Sequence, residues 1–253
     1  MNTQATLDQL RELKLHGMAR SYEAILALPI HQHPEPHALL GQLTQHEYEY
    51  KRNQRTETYL RLSKLRYAAS LEEVTCSEQR NFTREQLAMI AGCSWIDRAE
   101  NLLITGATGC GKSYLACAVG HQACLMGYKT LYLNMNRFIE QITLVKLDGT
   151  FIKLLNRIEK IPVLIFDDFG LQPVHNDVRL ALLQILEDRY AKKSTVIASQ
   201  LPVGQWHEYL KDATLADAIL DRLTARANRI ELKGKSLRTK EYKHRYINDR
   251  TRR

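Results

Sequence analysis

The 253-residue sequence contains no apolar run of the roughly 18 residues that a membrane-crossing helix needs. Its opening stretch, MNTQATLDQLRELKLHG, also lacks the continuous apolar segment of an export signal. These absences predict a cytoplasmic protein with no membrane partner. Cysteine is sparse: the five residues at 76, 93, 110, 117 and 124 include no C-x-x-C pair. An odd number of cysteines in a sequence without an export signal predicts reduced thiols. Cys110, Cys117 and Cys124 recur every seven residues, a spacing that along one helix marks a packed face, and we read them as small core residues rather than metal ligands. Proline is also scarce, yet Pro29, Pro34 and Pro36 cluster around His31, His33 and His37. Prolines at that density indicate a loop between helices, not a metal site. No internal repeat or low-complexity segment is visible.

Positive charge is in excess, and most of it lies at one end. Residues 1–75 carry nine basic and nine acidic side chains, residues 76–230 carry 18 and 16, and residues 231–253 carry nine and three. The last segment thus supplies +6 of the formal +8. Clustered Lys and Arg are the usual footprint of affinity for a phosphate backbone. A solvated tail that aids solubility would look the same in composition.

Up to residue 75, Leu7, Leu10, Leu13, Leu39, Leu43, Leu60 and Leu62 stand among charges with few β-branched neighbours, which predicts a helical appendage. From residue 76 a connecting segment leads to a short apolar run, Asn101 to Thr105, then a glycine-rich turn, then a helical pattern from Lys112 to Met126. Further strand candidates are Thr130 to Leu133, Pro162 to Phe166 and Thr195 to Ala198, each separated from the next by helix-like sequence. Strands alternating with helices predict an α/β core, a parallel sheet covered by helices on both faces. A last helical stretch, Ala213 to Arg229, precedes a strand-like Arg229 to Leu232 and the basic tail.

Gly106-Ala107-Thr108-Gly109-Cys110-Gly111-Lys112-Ser113 satisfies G-x-x-x-x-G-K-[ST] at every fixed position, after a strand and at the start of a helix. The chain must curl tightly enough to aim successive N–H groups at phosphate oxygens, where side chains would obstruct. Lys112 supplies charge to the β and γ phosphates and Ser113 offers its hydroxyl to Mg²⁺. The start of the helix, with Tyr114 next along it, adds its partial positive charge. The expected ligands are ATP and Mg²⁺. Val163-Leu164-Ile165-Phe166-Asp167-Asp168 reads as the Walker B strand, expected to neighbour the strand that leads into the loop. Asp167 is placed for the Mg²⁺ shell, and Asp168 either orients or deprotonates the attacking water or caps the turn into Phe169-Gly170. Ser194 to Gln200 is a strand whose polar end, Ser199-Gln200, would lie beside Walker B. It either senses the phosphate, with Gln200 preferred over Ser199, or begins the loop toward Pro202. Arg222, Arg226 and Arg229 lie too far along to belong to the loop. One of them reaches a neighbouring subunit's γ phosphate, or all three form a solvated face, and position alone does not choose.

These motifs, together with LKLHGMARSY, LEDRY followed by STVIASQLPV, ILDRLTARANRIELKG and KSLR, resemble the IstB-like transposition helper ATPases over nearly the whole chain. Those proteins are relatives of the bacterial replicative helicase loaders in the AAA+ class. The resemblance implies a helical domain over 1–75 for partner binding or oligomerisation, an AAA+ core over 76–232 and a basic tail over 233–253. It implies that Arg222 is an arginine finger acting on an adjacent subunit and that Arg238 is a sensor 2 arginine. Gln200 stands where relatives usually carry asparagine, and Asp168 where many carry glutamate. The implied partners are double-stranded DNA, a transposase and further copies of the chain, with DNA-stimulated, assembly-dependent hydrolysis. Lys233, Lys235, Lys240, Lys243 and Arg245 are the tail's DNA candidates, with DNA contact the second possible duty of Arg238, and Lys146, Lys153 and Arg157, on the helical stretch before Walker B, either face a DNA path or form a solvated face. A helicase loader that uses ATP to time the release of helicase is the alternative. A small-molecule kinase fits Arg222 and the tail poorly.

Overall fold

The computed structural model describes residues 3–237. The chain divides into two compact units, the first ending at Thr58 and the second beginning at Tyr59. Residues 59–75, grouped by sequence with the N-terminal helices, therefore fall in the second unit.

The N-terminal region is helical, with α1 (Thr3–Glu12), α2 (His16–Leu26) and α3 (Pro36–Ser63). Its packing relies on one close backbone approach. A Cβ at Gly17 would lie 2.5 Å from the His46 carbonyl oxygen, so only glycine lets α2 lie this near α3. Glu47, buried on α3, accepts from the Met18 N–H at 3.0 Å and so satisfies a donor at the start of α2. Of the leucines that suggested amphipathic helices, Leu7 is buried, whereas Leu13 is 68% exposed. Around the histidine-proline segment lies a short 3-10 turn, Ile30–Gln32, and no cluster of metal-binding side chains occurs among the described residues.

In the second unit, α4 (Arg84–Ala91) opens on a reciprocal cap in which Thr83 accepts from the Gln86 N–H and Gln86 from the Thr83 N–H. There follow α5 (Ser94–Asp97), β1 (Asn101–Gly106), α6 (Lys112–Leu125), β2 (Thr130–Asn134), α7 (Met135–Leu147) and α8 (Phe151–Glu159). The chain continues with β3 (Val163–Phe169), α9 (Asn176–Arg189), β4 (Ser194–Ser199), α10 (Trp206–Leu210), α11 (Ala213–Thr224) and β5 (Ala227–Leu232). The five strands form one parallel sheet in the order β2-β3-β4-β1-β5. Successive strand residues alternate between two cores. Leu102, Ile104, Val163, Ile165, Val196 and Ala198 pack with α6 on one face. Leu103, Leu164, Phe166 and Ile197 pack with α7, α8, α9 and α11 on the other. A sheet covered on both faces explains why its central strands are apolar runs rather than alternating ones.

Four expectations change. The Walker B strand β3 does not neighbour β1, because β4 lies between them and pairs with both. Lateral order is set by pairing between distant segments, which local sequence does not encode. The last helix stops at Thr224 instead of reaching Arg229, because pairing of Ala227 with Asn101 and of Asn228 with Leu102 draws residues 227–228 into β5. Walker B runs on to Phe169, with a register irregularity between Phe166 and Phe169. Cys110 is not on a helix with Cys117 and Cys124 but in the loop before α6, although all three are buried.

Arg189, the arginine of LEDRY, is 1% exposed. It donates to Thr195 Oγ1 and to the carbonyls of Ile158, Ile161, Pro162 and Ser194. Burial pushes its guanidinium down to about 9, so it stays a cation at neutral pH and ties α8, α9 and the starts of β3 and β4 together.

Candidate nucleotide site

The site lies where β1, β3 and β4 end, the edge of an open parallel sheet at which ligands collect. β1 delivers the chain into residues 106–111, and α6 leaves from Gly111, which has φ +93. At Gly109 φ is +82, and an added Cβ would lie 2.3 Å from Ser236 Oγ, so both backbone and space require glycine there. The loop borders a cavity of about 1130 Å³ to which Thr108, Gly109, Gly111, Lys112, Ser113 and Tyr114 all contribute. Lys112 is buried and donates to the Ala107 carbonyl at 2.8 Å, which folds its ammonium back over the loop.

Across the intervening β4, Ser113 Oγ donates to Asp167 Oδ1 at 3.0 Å. Asp167 is 1% exposed and also accepts from the Tyr132 hydroxyl at 2.6 Å and the Asp168 N–H at 2.9 Å. Burial first, and then the bond to Asp167, push the Tyr132 phenol up, so it remains a donor. A hydroxyl and a carboxylate converging beside a phosphate loop form a hard-oxygen donor set, which suits Mg²⁺. Asp168 lines the same cavity with its backbone at φ +60, a left-handed conformation that aspartate tolerates better than most residues. Its carboxylate accepts from Asn134 Nδ2 at 2.7 Å and faces Arg66 at 3.5 Å. The side chain is therefore turned to these partners and does not cap the Phe169-Gly170 turn.

The two candidates at the end of β4 separate cleanly. Ser199 is buried, donates to the Phe169 carbonyl at 2.7 Å and accepts from the Leu201 N–H at 3.1 Å, which is a packing role. Gln200 lines the cavity and accepts from Thr108 Oγ1 at 2.6 Å, reaching the loop itself.

Not every predicted residue gathers here. Arg222 is absent from the lining and pairs with Glu187 of α9 at 2.5 Å while donating to its own helix at the Ala218 carbonyl, 3.2 Å away. Lys146 pairs with Asp177 at 2.6 Å, whereas Lys153 and Arg157 are exposed on α8. Lys233 and Lys235, expected on DNA, border the nucleotide cavity in this chain. Arg238, Lys240, Lys243 and Arg245 lie outside the described residues.

The sequence reading missed a whole wall. Tyr67, Val74, Thr75 and Arg80 line the cavity. Beside Arg80, residues 233–237 cross the loop, with the Lys233 N–H donating to the Arg80 carbonyl and the Leu237 N–H to the Gly109 carbonyl, both at 2.9 Å. The Tyr67 and Tyr114 rings lie 6.5 Å apart, and the Tyr114 hydroxyl donates to Glu73. No motif marks residues 65–80, because their role arises from where the chain passes and not from residue spacing.

Comparison with known proteins agrees with this geometry. Residues 8–245 match the family described as IstB-like ATP binding protein. An insertion sequence ATP-binding protein of Sinorhizobium fredii is 40% identical over 233 residues, 92% of this chain and 95% of that protein. Among solved structures, the DnaC helicase loader aligns with TM-score 0.55 at 17% identity, covering 66% of this chain and 98% of that one. AMPPCP-bound DnaA from Aquifex aeolicus aligns with TM-score 0.56 at 20% identity over 73% of this chain and 56% of that one. At such identities the likeness establishes the fold, an AAA+ P-loop core.

Proposed function

Because the chain belongs to the family of IstB-like ATP binding proteins, we propose that it is a transposition helper that assembles on duplex DNA in its ATP state and recruits or stimulates a transposase. The observation that supports this most is the division of the machinery. The loop, Ser113 and Asp168 border one cavity, with Asp167 buried behind Ser113 and bonded to it, while Arg222 lies outside that cavity, paired with Glu187.

The loop N–H groups and Lys112 bind the polyphosphate. Ser113 and Asp167 would hold Mg²⁺, whose charge, when bound, lowers the electrostatic cost of the transferring phosphoryl group. Asp168 orients a water and takes its proton as the water oxygen bonds to the γ phosphorus and the bond to the β-γ bridging oxygen breaks, giving ADP and phosphate. Gln200, hydrogen-bonded to Thr108, reports the γ phosphate to β4. Arg222 of a neighbouring copy stabilises the charge that spreads over the γ oxygens, which makes turnover depend on assembly. Arg238 serves as the cis sensor, and the basic tail, with Lys240, Lys243 and Arg245, supplies sequence-tolerant phosphate contacts.

The test is sedimentation and electron microscopy of the protein with duplex DNA in ATP and in ADP. Larger species on DNA only with ATP, and hydrolysis stimulated by that DNA, are expected. Equal DNA binding with and without ATP, with no larger species, removes the proposal. Binding to a replicative helicase in place of a transposase points to the loader alternative.

A further inference from the structure

We infer that Arg80 is a positioning residue for nucleotide binding, holding the Cys110–Gly111 peptide of the phosphate loop in the orientation that receives a phosphate. The inference rests on the reading of residues 106–113 as the loop that holds ATP.

A loop that turns its N–H groups inward presents carbonyls outward, and these need donors of their own. Arg80 Nη2 donates to the Cys110 carbonyl at 2.8 Å. In a trans peptide the carbonyl and the following N–H point in opposite directions. Anchoring the Cys110 oxygen therefore aims the Gly111 N–H away from Arg80. The guanidinium sits directly on this peptide, since a Cβ at Gly111 would lie 2.9 Å from Nη2.

Arg80 is itself firmly seated. It ends the 3-10 turn Glu78–Arg80, which is closed by pairing of Ser77 with Phe82 at 3.0 and 3.3 Å, and the Phe82 ring is wholly buried in the core under α6. The next residue, Asn81, donates to the Glu231 carbonyl at 2.8 Å, and the Arg80 carbonyl accepts from the Lys233 N–H at 2.9 Å. Nη1 donates to the Thr75 carbonyl at 3.3 Å, which uses a second arm of the planar fork. The turn is thus bolted to the end of β5, and the guanidinium spans from there to the loop. A bond from a permanent cation is stronger than one between neutral groups, and its charge adds to the potential of a cavity meant for a polyphosphate.

The test uses the full chain and four variants: R80A, R80K, N81A and K112A. Dissociation constants for ATP and ADP are measured with fluorescent analogues, together with kcat and KM, and the melting temperature without nucleotide reads the fold. R80A should raise both dissociation constants about tenfold, the loss expected for one charged hydrogen bond. KM should follow them, with kcat at saturation within about threefold of the parent. R80K, which keeps the charge but not the fork, should fall between. N81A frees the turn from Glu231 without touching the guanidinium and should leave nucleotide affinity within about threefold. An R80A or R80K protein that melts like the parent and binds ADP within about twofold of it overturns the inference. Equal losses in R80A and N81A overturn it as well, since a purely structural turn would give that result. K112A separates the premise from the inference. If K112A binds ATP normally, the phosphate-loop reading itself fails, whereas a dead K112A beside a normal R80A sinks only the role of Arg80.

Discussion

Asn101, at the start of β1, donates its side-chain amide to the main-chain carbonyl of Arg222 at 2.9 Å, and the same amide reaches the Leu223 carbonyl at 3.1 Å. The end of α11 is thereby fixed to the edge of the sheet where β1 begins, whereas the phosphate loop leaves from the edge where β1 ends, at Gly106. A strand of that length spans roughly 16 Å at about 3.3 Å per residue, beyond the reach of an arginine side chain. Arg222 therefore cannot serve the cavity of its own chain.

Arg222→Ala should leave ATP affinity unchanged and lower ATP turnover by roughly 100-fold or more. Mixing it with Lys112→Ala should restore part of the activity, because one copy then supplies the arginine and the other the intact loop. Hydrolysis measured across mixing ratios decides the matter, and strict additivity of two dead proteins would contradict action between copies.

Lys112→Ala should abolish nucleotide binding, whereas Asp168→Asn should bind ATP almost normally and lose roughly 100-fold or more in turnover, since the amide cannot accept a proton. Titration calorimetry beside single-turnover hydrolysis distinguishes the two losses. An Asp168→Asn protein that hydrolyses ATP at the parent rate would leave the attacking water without its base.

At the end of β4, neighbouring residues should fail in different ways. Ser199→Ala leaves the Phe169 carbonyl and the Leu201 N–H without their partner, which costs about 1–3 kcal/mol of stability with little change in turnover per folded molecule. Gln200→Ala should melt like the parent and hydrolyse roughly tenfold or more slowly. Thermal melts and steady-state rates on both variants check this pair.

Arg189→Lys should fold less stably, because an ammonium cannot reach the five acceptors that the buried guanidinium serves. Losing two or three of those bonds costs about 3 kcal/mol or more, which for a domain of this size lowers the melting temperature by roughly 6–12 °C. Differential scanning calorimetry reads the shift, and nucleotide affinity below the transition should be unchanged.

The sequence by itself determined the phosphate loop, the two Walker B carboxylates and the α/β alternation. Each is local: a tight turn needs glycines at fixed spacing, and a strand buried on both faces reads as an apolar run. The identity of the polar group facing the loop was open between Ser199 and Gln200 until the structure turned one hydroxyl into the core and one amide toward Thr108. Tertiary structure alone decided that β4 lies between β1 and β3, that residues 65–80 form a wall of the cavity, and that Arg80 sits on the loop. These are contacts between segments far apart in the chain, such as Arg80 with Cys110 or Asn101 with Arg222, and no residue spacing encodes them. They exist because burial of the strands in two cores fixes where each loop emerges at the sheet edge.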